Sequence, residues 1–180
     1  MLRILLYFFS ILYATSYTTI TVNGTNSGWS SDETFTDISD ADNLYFTWDA
    51  TNIYIGVSDS EADYDNMAYF MYFDTDPSGS NGTTDTYTWG NNITTPFSAD
   101  YVLVFKYHST EGSAYVEFRD YDDSGSSWSQ TGQTNSYTYN TDNAQVAGGT
   151  DYIEFKIKRS ILNVSNATDQ IRFCMLTEQQ

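Results

Sequence analysis

The stretch of this chain best suited to chemistry runs Asp74-Thr75-Asp76-Pro77-Ser78-Gly79-Ser80-Asn81-Gly82-Thr83-Thr84-Asp85. Carboxylates stand at its positions 1, 3 and 12, a hydroxyl at 5 and a glycine at 6. A hard divalent cation takes about six to eight oxygens, and closely spaced Asp with a Gly to fold the backbone can supply them. Asp74, Asp76, Ser78 and Asp85 are therefore the expected calcium ligands. The loop follows an apolar run rather than a helix and lacks a distal Glu, so it is not an EF-hand. The plain alternative is a solvated Asp/Ser/Gly turn after a strand. A shorter echo at Asp120-Tyr121-Asp122-Asp123-Ser124-Gly125 has no distal acid. Asp59, Glu61, Asp63 and Asp65 read as a self-repelling, solvated loop.

Aromatic rings are the second resource. Sugar recognition needs flat faces to stack on pyranose C–H surfaces and polar groups for the hydroxyls. Four Trp are available. Trp48 lies in alternating strand sequence and reads as core, and Trp29 reads as a packing residue. Trp89, in Thr86-Tyr87-Thr88-Trp89-Gly90, and Trp128, in Ser126-Ser127-Trp128-Ser129, have polar, small neighbours that bury an indole poorly. They are the expected stacking platforms, with Tyr121, Tyr137 and Tyr139 as weaker ones. Asn91, Asp122 and Gln130 are nearby partners for hydroxyls.

Other chemistries find little. His108 is the only His, beside Glu111 at the end of a strand-like run, and reads as a surface loop residue. Triad catalysis would have to use it. Cys174 is the only Cys, in Ile171-Arg172-Phe173-Cys174-Met175-Leu176, and reads as a buried inert thiol. One His and one Cys do not make a structural zinc site. With 24 acids some carboxylate pair always meets glycosidase spacing, so that criterion discriminates nothing. No Gly-rich loop has phosphate-binding spacing. The expectation is a binding protein, not an enzyme.

The elements that position these residues are strands. Short runs of Tyr, Phe, Ile, Val and Thr alternate with Asp, Asn, Gly and Ser clusters. The runs are Tyr17–Val22, Asn43–Trp48, Ile53–Ser58, Met67–Asp74, Thr86–Trp89, Tyr101–Tyr107, Ala114–Asp120, Ser136–Tyr139, Tyr152–Lys158 and Gln170–Leu176. Leu44, Phe46 and Trp48 share a face, as do Ile53, Ile55 and Val57. Ile153, Phe155 and Ile157 point inward, with Glu154, Lys156 and Lys158 outward. Asp49-Ala50-Thr51-Asn52 reads as a hairpin turn and Ser160-Ile161-Leu162 as one helical turn. Ser124 to Gly149 reads as long loops around a weak strand. About ten short strands predict an all-β fold, an antiparallel β-sandwich of immunoglobulin-like or jelly-roll type.

Composition agrees. Twenty-four acids against seven Lys plus Arg give a net charge of −17, which leaves no basic face for nucleic acid. Aromatics at 17% exclude a disordered acidic tail. Eighteen of the acids are Asp, a turn and cation residue, so the charge is mostly loop chemistry.

Met1–Ser16 has Arg3, an apolar stretch from Ile4 to Tyr13, and small Ala14 and Ser16. It reads as a signal peptide over 1–16, too short to span a bilayer, cleaved before Tyr17 to leave one domain over 17–180 and a secreted, extracellular product. Sequons at Asn23, Asn81, Asn92, Asn163 and Asn166 suit a glycoprotein. A glycan on Asn81 would compete with cation ligation by that side chain.

Several segments together resemble the family 9 carbohydrate-binding modules and the related DOMON-like sandwiches. Ile20-Thr21-Val22-Asn23-Gly24 with Gly28-Trp29 resembles the family's opening strand. Asn43-Leu44-Tyr45-Phe46-Thr47-Trp48-Asp49-Ala50-Thr51-Asn52-Ile53-Tyr54-Ile55-Gly56-Val57 resembles its central hairpin. Phe70-Met71-Tyr72-Phe73-Asp74-Thr75-Asp76-Pro77 resembles a strand ending in D-T-D-P. Ser98-Ala99-Asp100-Tyr101 and Glu154-Phe155-Lys156-Ile157 are similar to later segments. The resemblance covers about residues 20–176 and leads one to expect further sequence beyond Gln180. It implies a secreted module that binds a polysaccharide or glycan without catalysis, with structural calcium. A structural or adhesive extracellular protein with a cell-surface or matrix partner is the alternative. Because some DOMON-like domains hold haem through Met and His, Met67, Met71 and His108 define a third reading.

Overall fold

A computed structural model describes residues 18–36, 43–58, 67–90, 93–108, 113–136, 144–149, 151–164 and 170–179. They form twelve strands: β1 Thr34–Thr36, β2 Asn43–Trp48, β3 Asn52–Ser58, β4 Met67–Asp74, β5 Thr83–Asp85, β6 Thr94–Ala99, β7 Tyr101–His108, β8 Ser113–Asp122, β9 Ser127–Ser136, β10 Ala144–Gly149, β11 Tyr152–Lys158 and β12 Arg172–Gln179. The first sheet runs β1-β2-β3-β11-β10 and the second β12-β4-β7-β8-β9; β5 and β6 form a small ribbon. The pairings are antiparallel. The chain is an all-β sandwich.

Alternation builds the core. Leu44, Phe46, Ile53, Ile55, Val57, Ile153, Phe155 and Ile157 leave the first sheet and meet Tyr69, Met71, Phe73, Leu103, Phe105, Val116, Phe173 and Met175 of the second. Aromatic contacts cross between the layers, Phe105–Phe155 at 4.7 Å and Phe46–Phe173 at 5.4 Å between centroids. Trp48 packs against this core. Met71 is fully buried within it and Met67 nearly so. The Asp49 hairpin turn closes β2 onto β3, with its carboxylate accepting the Thr51 and Asn52 amides at 2.7 and 2.8 Å. The expected helical turn is a short 3-10 segment, Arg159–Leu162.

Three expectations are corrected. Thr18–Val22 forms no strand, though Ile20 is buried; from Asn23 on, backbone amides and side chains of this segment bond side chains of the first sheet. Thr86–Trp89 is a loop, and the ribbon strands lie on either side of it. The Ser/Gly-rich stretch holds two full strands, β9 and β10. Small polar residues carry no apolar alternation, but they satisfy a ladder when a neighbouring strand templates it.

Glu154 is also displaced from its expected place. Its strand alternation points it away from the core, yet it is wholly buried. The segment around Asn23 and Trp29 lies over that face. Glu154 Oε1 accepts the amides of Asn23 and, at 2.7 Å, Gly24, while Oε2 accepts the Tyr152 hydroxyl at 3.0 Å. Trp29 donates its indole N–H to the same hydroxyl at 2.8 Å and lies 5.4 Å from the Tyr45 ring. A buried carboxylate is tolerable here because three donors answer it. Glu33 anchors the same segment, accepting the Thr47 hydroxyl at 2.6 Å and the Ser30 amide at 2.9 Å.

Among the described residues no helix is long and apolar enough to cross a membrane.

Candidate functional site

Strands β4 and β7 are neighbours in the second sheet, yet residues 75–100 leave and return between them. This excursion carries β5 and β6 and lies over the outer face of the sheet. There Phe70, Tyr72, Val102, Val104, Cys174 and Leu176 pack against Phe97 and Ala99, with Tyr87, Trp89, Ile93 and Trp128 partly buried around them. Burial pushes the Cys174 thiol up to about 12, consistent with an inert core sulfur.

The acidic group sits where the excursion begins and ends. Asp74 closes β4, Asp76 follows in the loop, and Asp100 stands at the corner between β6 and β7; one oxygen from each lies within 4.8 Å of the others. The corner is fixed by the backbone, since the Asp100 amide bonds Phe73 O and its carbonyl takes the Tyr121 amide, each at 2.8 Å. Asp100 Oδ2 accepts the Thr75 amide at 2.7 Å and hydroxyl at 3.1 Å. Burial, and then the Asp100 charge, push the Asp74 carboxyl above its ordinary value. Burial likewise raises Asp100 against the pull of its Thr75 bonds, with Asp76 and Asp123 adding to the rise. Arg172 supplies the local cation, 3.3 Å from Asp74 Oδ2 and 3.0 Å from Pro77 O. Gly82, at φ +82°, lets the chain pass Ala99, whose carbonyl a Cβ would meet at 2.6 Å. Its amide reaches Asp123 Oδ1 at 3.0 Å.

The expected ligand set is thus rearranged. Asp74 and Asp76 come together with Asp100. Ser78 is exposed in the turn, and Asp85 is exposed on β5, where its carbonyl accepts the Trp128 indole N–H at 3.0 Å. The loop does not wrap back on itself as a twelve-residue cation loop does, because β5 leaves to pair with β6. The third carboxylate comes instead from the strand corner, a long-range contact that local spacing does not encode. Its signal in the sequence was the Ser98-Ala99-Asp100-Tyr101 segment. Asn81 is exposed and donates to Asp76 Oδ2 at 3.0 Å.

Trp89 and Trp128 belong to the same outer face. Trp89 meets Phe70 and Tyr115 edge-on, each at 5.5 Å; Trp128 meets Tyr121 at 5.4 Å and Tyr72 at 6.3 Å. Both are half-buried. Tyr115, Glu117, Arg119 and Tyr121 alternate along β8 and form a row between the two indoles. Sequence reasoning missed its polar middle. Glu117, almost wholly buried, pairs with Arg119 and accepts the hydroxyls of Tyr115 at 2.9 Å and Tyr87 at 3.2 Å. The Arg119 guanidinium lies 3.9 Å over the Tyr87 ring and donates to Trp128 O at 3.3 Å. Burial and the Glu117 carboxylate push the Tyr115 phenol up. A strict i, i+2 reading of Tyr-Val-Glu-Phe-Arg-Asp-Tyr would have found the row.

Tyr137, Tyr139, Asn91, Asn92, Asn166 and the 1–16 segment lie outside the described residues. Asn23 is exposed in a turn closed by Thr25, and Asn163 is exposed with a left-handed backbone, φ 56°. No protein-family model matches the chain, and no curated protein or solved structure matches it either.

Proposed function

We propose that this chain is a secreted, non-catalytic carbohydrate-binding module. In this reading the aromatic outer face of the second sheet stacks on sugar rings, and calcium fixes the excursion beside it. The observation that carries the reading is the placement of Trp89 and Trp128 on one face, both half-buried, joined by the β8 row. A flat indole offers an apolar face on which the C–H surface of a neutral sugar can stack. A chain of net charge −17 suits neutral glycans better than anionic ones.

Calcium fits the residues present. Asp74, Asp76 and Asp100 offer hard oxygen donors, and a cation answers both the burial and the mutual repulsion that raise Asp74 and Asp100. Its part is structural, holding the start of the excursion against its end.

The test is binding to a panel of neutral polysaccharides by affinity electrophoresis and calorimetry, for the protein and for Trp89→Ala and Trp128→Ala. Each substitution is expected to weaken binding about tenfold, equivalent to ~1.4 kcal/mol, with circular dichroism confirming the fold. Absence of binding across the panel, or unchanged affinity in both variants, refutes the proposal.

A further inference from the structure

The chain contains two Asn-Gly steps, Asn23-Gly24 and Asn81-Gly82, and a Thr follows each. In such a step the glycine amide nitrogen can attack the preceding side-chain carbonyl, because no Cβ stands in the way and the two atoms are already tethered. A five-membered ring closes, ammonia leaves, and water reopens the ring to a carboxylic acid. The shared tripeptide does not separate the two sites, but the fold does.

At Asn23 the reacting atoms are tied down. Its Oδ1 accepts the Thr25 amide at 2.9 Å and the Thr25 hydroxyl at 2.7 Å. The Gly24 amide donates at 2.7 Å to Glu154 Oε1, which also takes the Asn23 amide. Glu154 is wholly buried and further engaged by the Tyr152 hydroxyl, so it is a poor base and lies away from water. Asn81 stands in the opposite setting, exposed in the turn that opens the excursion. Among the described residues its side chain is held only through Nδ2, which donates to Asp76 Oδ2 at 3.0 Å. The Gly82 amide donates at 3.0 Å to Oδ1 of Asp123, an exposed carboxylate between β8 and β9. The attacking nitrogen thus has an acceptor on its proton, and water reaches the site.

We propose that Asn81 is a self-modifying residue, converted to aspartate or isoaspartate with Asp123 as the base. Gly82 N bonds to Asn81 Cγ as its proton passes to Asp123. The Cγ–Nδ2 bond then breaks, and the nitrogen leaves as ammonia with that proton returned through water. One water opens the ring, giving aspartate by attack at Cγ and isoaspartate by attack at the main-chain carbonyl. Either product removes a donor to Asp76 and adds a carboxylate beside the group formed by Asp74, Asp76 and Asp100. The turn thereby acquires a charge that the encoded sequence lacks. A glycan on Asn81 would occupy the departing nitrogen, so glycosylation and conversion exclude each other at this residue.

The test needs neither glycan nor calcium. Protein made in a bacterial host, where the sequon stays free, is aged at neutral pH and mapped by mass spectrometry, with ammonia release followed in parallel. Asn81 should convert at least about tenfold faster than Asn23. In urea, where these contacts are gone, the two should convert at similar rates. Asp123→Ala should slow Asn81 about tenfold or more while leaving Asn23 and the circular dichroism unchanged. An Asn81 that stays intact, equal rates at the two sites in the folded protein, the folded ratio persisting in urea, or an Asp123→Ala variant that converts at the unaltered rate would each overturn the proposal.

Discussion

Asp100→Asn removes one of three clustered charges while keeping the side-chain shape and an oxygen for Thr75. Two carboxylate repulsions are lost, each acting within 4.8 Å. At an effective dielectric of about 20 each is worth about 3.5 kcal/mol. That is an upper bound, since Asp76 is half-exposed and Arg172 already sits 3.3 Å from Asp74. About 1–2 kcal/mol should survive screening, so in EGTA the variant should melt about 2–6 °C higher than the unaltered protein. With calcium at about a hundred times its Kd the order reverses. The unaltered protein gains about 2.7 kcal/mol, roughly 5–10 °C, and the variant forfeits most of that gain. The pH dependence has a definite sign. Asp74 and Asp100 are raised, so their contribution is fully present below the ordinary carboxylate value of 3.8 and is lost as pH rises through their raised values. Metal-free protein should therefore lose stability through that window, and calcium should abolish the loss. Calorimetry with EGTA and with calcium reads all of this. Equal melting of both proteins in both conditions would refute the electrostatic reasoning.

Other outcomes follow from single contacts. Burial acts to raise Asp49, but bonds from Tyr54, Thr51, Asn52 and Thr19 outweigh it and hold the carboxyl at about 2. Its stabilising effect is thus present above 3.8 and lost as pH falls toward 2; Tyr54→Phe should cost about 1 kcal/mol near neutrality, solvent screening included, and little at pH 2, as urea titrations will show. Glu154→Ala strands the Asn23 and Gly24 amides and the Tyr152 hydroxyl, so a loss of about 3 kcal/mol is expected, with faster hydrogen exchange at those two amides. Gly82→Ala forces a Cβ against Ala99 O at positive φ and should cost about 2 kcal/mol or more, read as a lower melting temperature. Cys174 should ignore thiol reagents until the protein is denatured, when one thiol becomes titratable.

The sequence made the apolar half of the fold plain. β2, β3, β8 and β11 carry an apolar alternation because one face packs on the opposite sheet, while β4 and β7 read as continuous apolar runs because their second face is buried in the outer cluster. β9 and β10 were opaque because their small and polar residues carry no apolar alternation; pairing with β8 and β11 brings them into the sheets. The paired Trp89 and Trp128 were legible by their polar surroundings. That they lie on one face was not, because it depends on where the excursion lands. The same reason separates Asp74 and Asp76, adjacent in sequence, from Asp100, which reaches them only through the β4–β7 ladder. Glu154 shows the limit of periodicity: alternation gives the face but not what comes to cover it.

All eight residues of β4 are buried, and on its outer face Phe70 and Tyr72 are covered largely by the excursion that the strand itself leads into. Until the excursion folds back, Phe70 and much of Tyr72 lie uncovered on a long apolar strand, an aggregation hazard for a chain still folding. The excursion is therefore a built-in guard, and conditions that loosen its ends should first appear as poor recovery of folded protein, before any loss of ligand affinity.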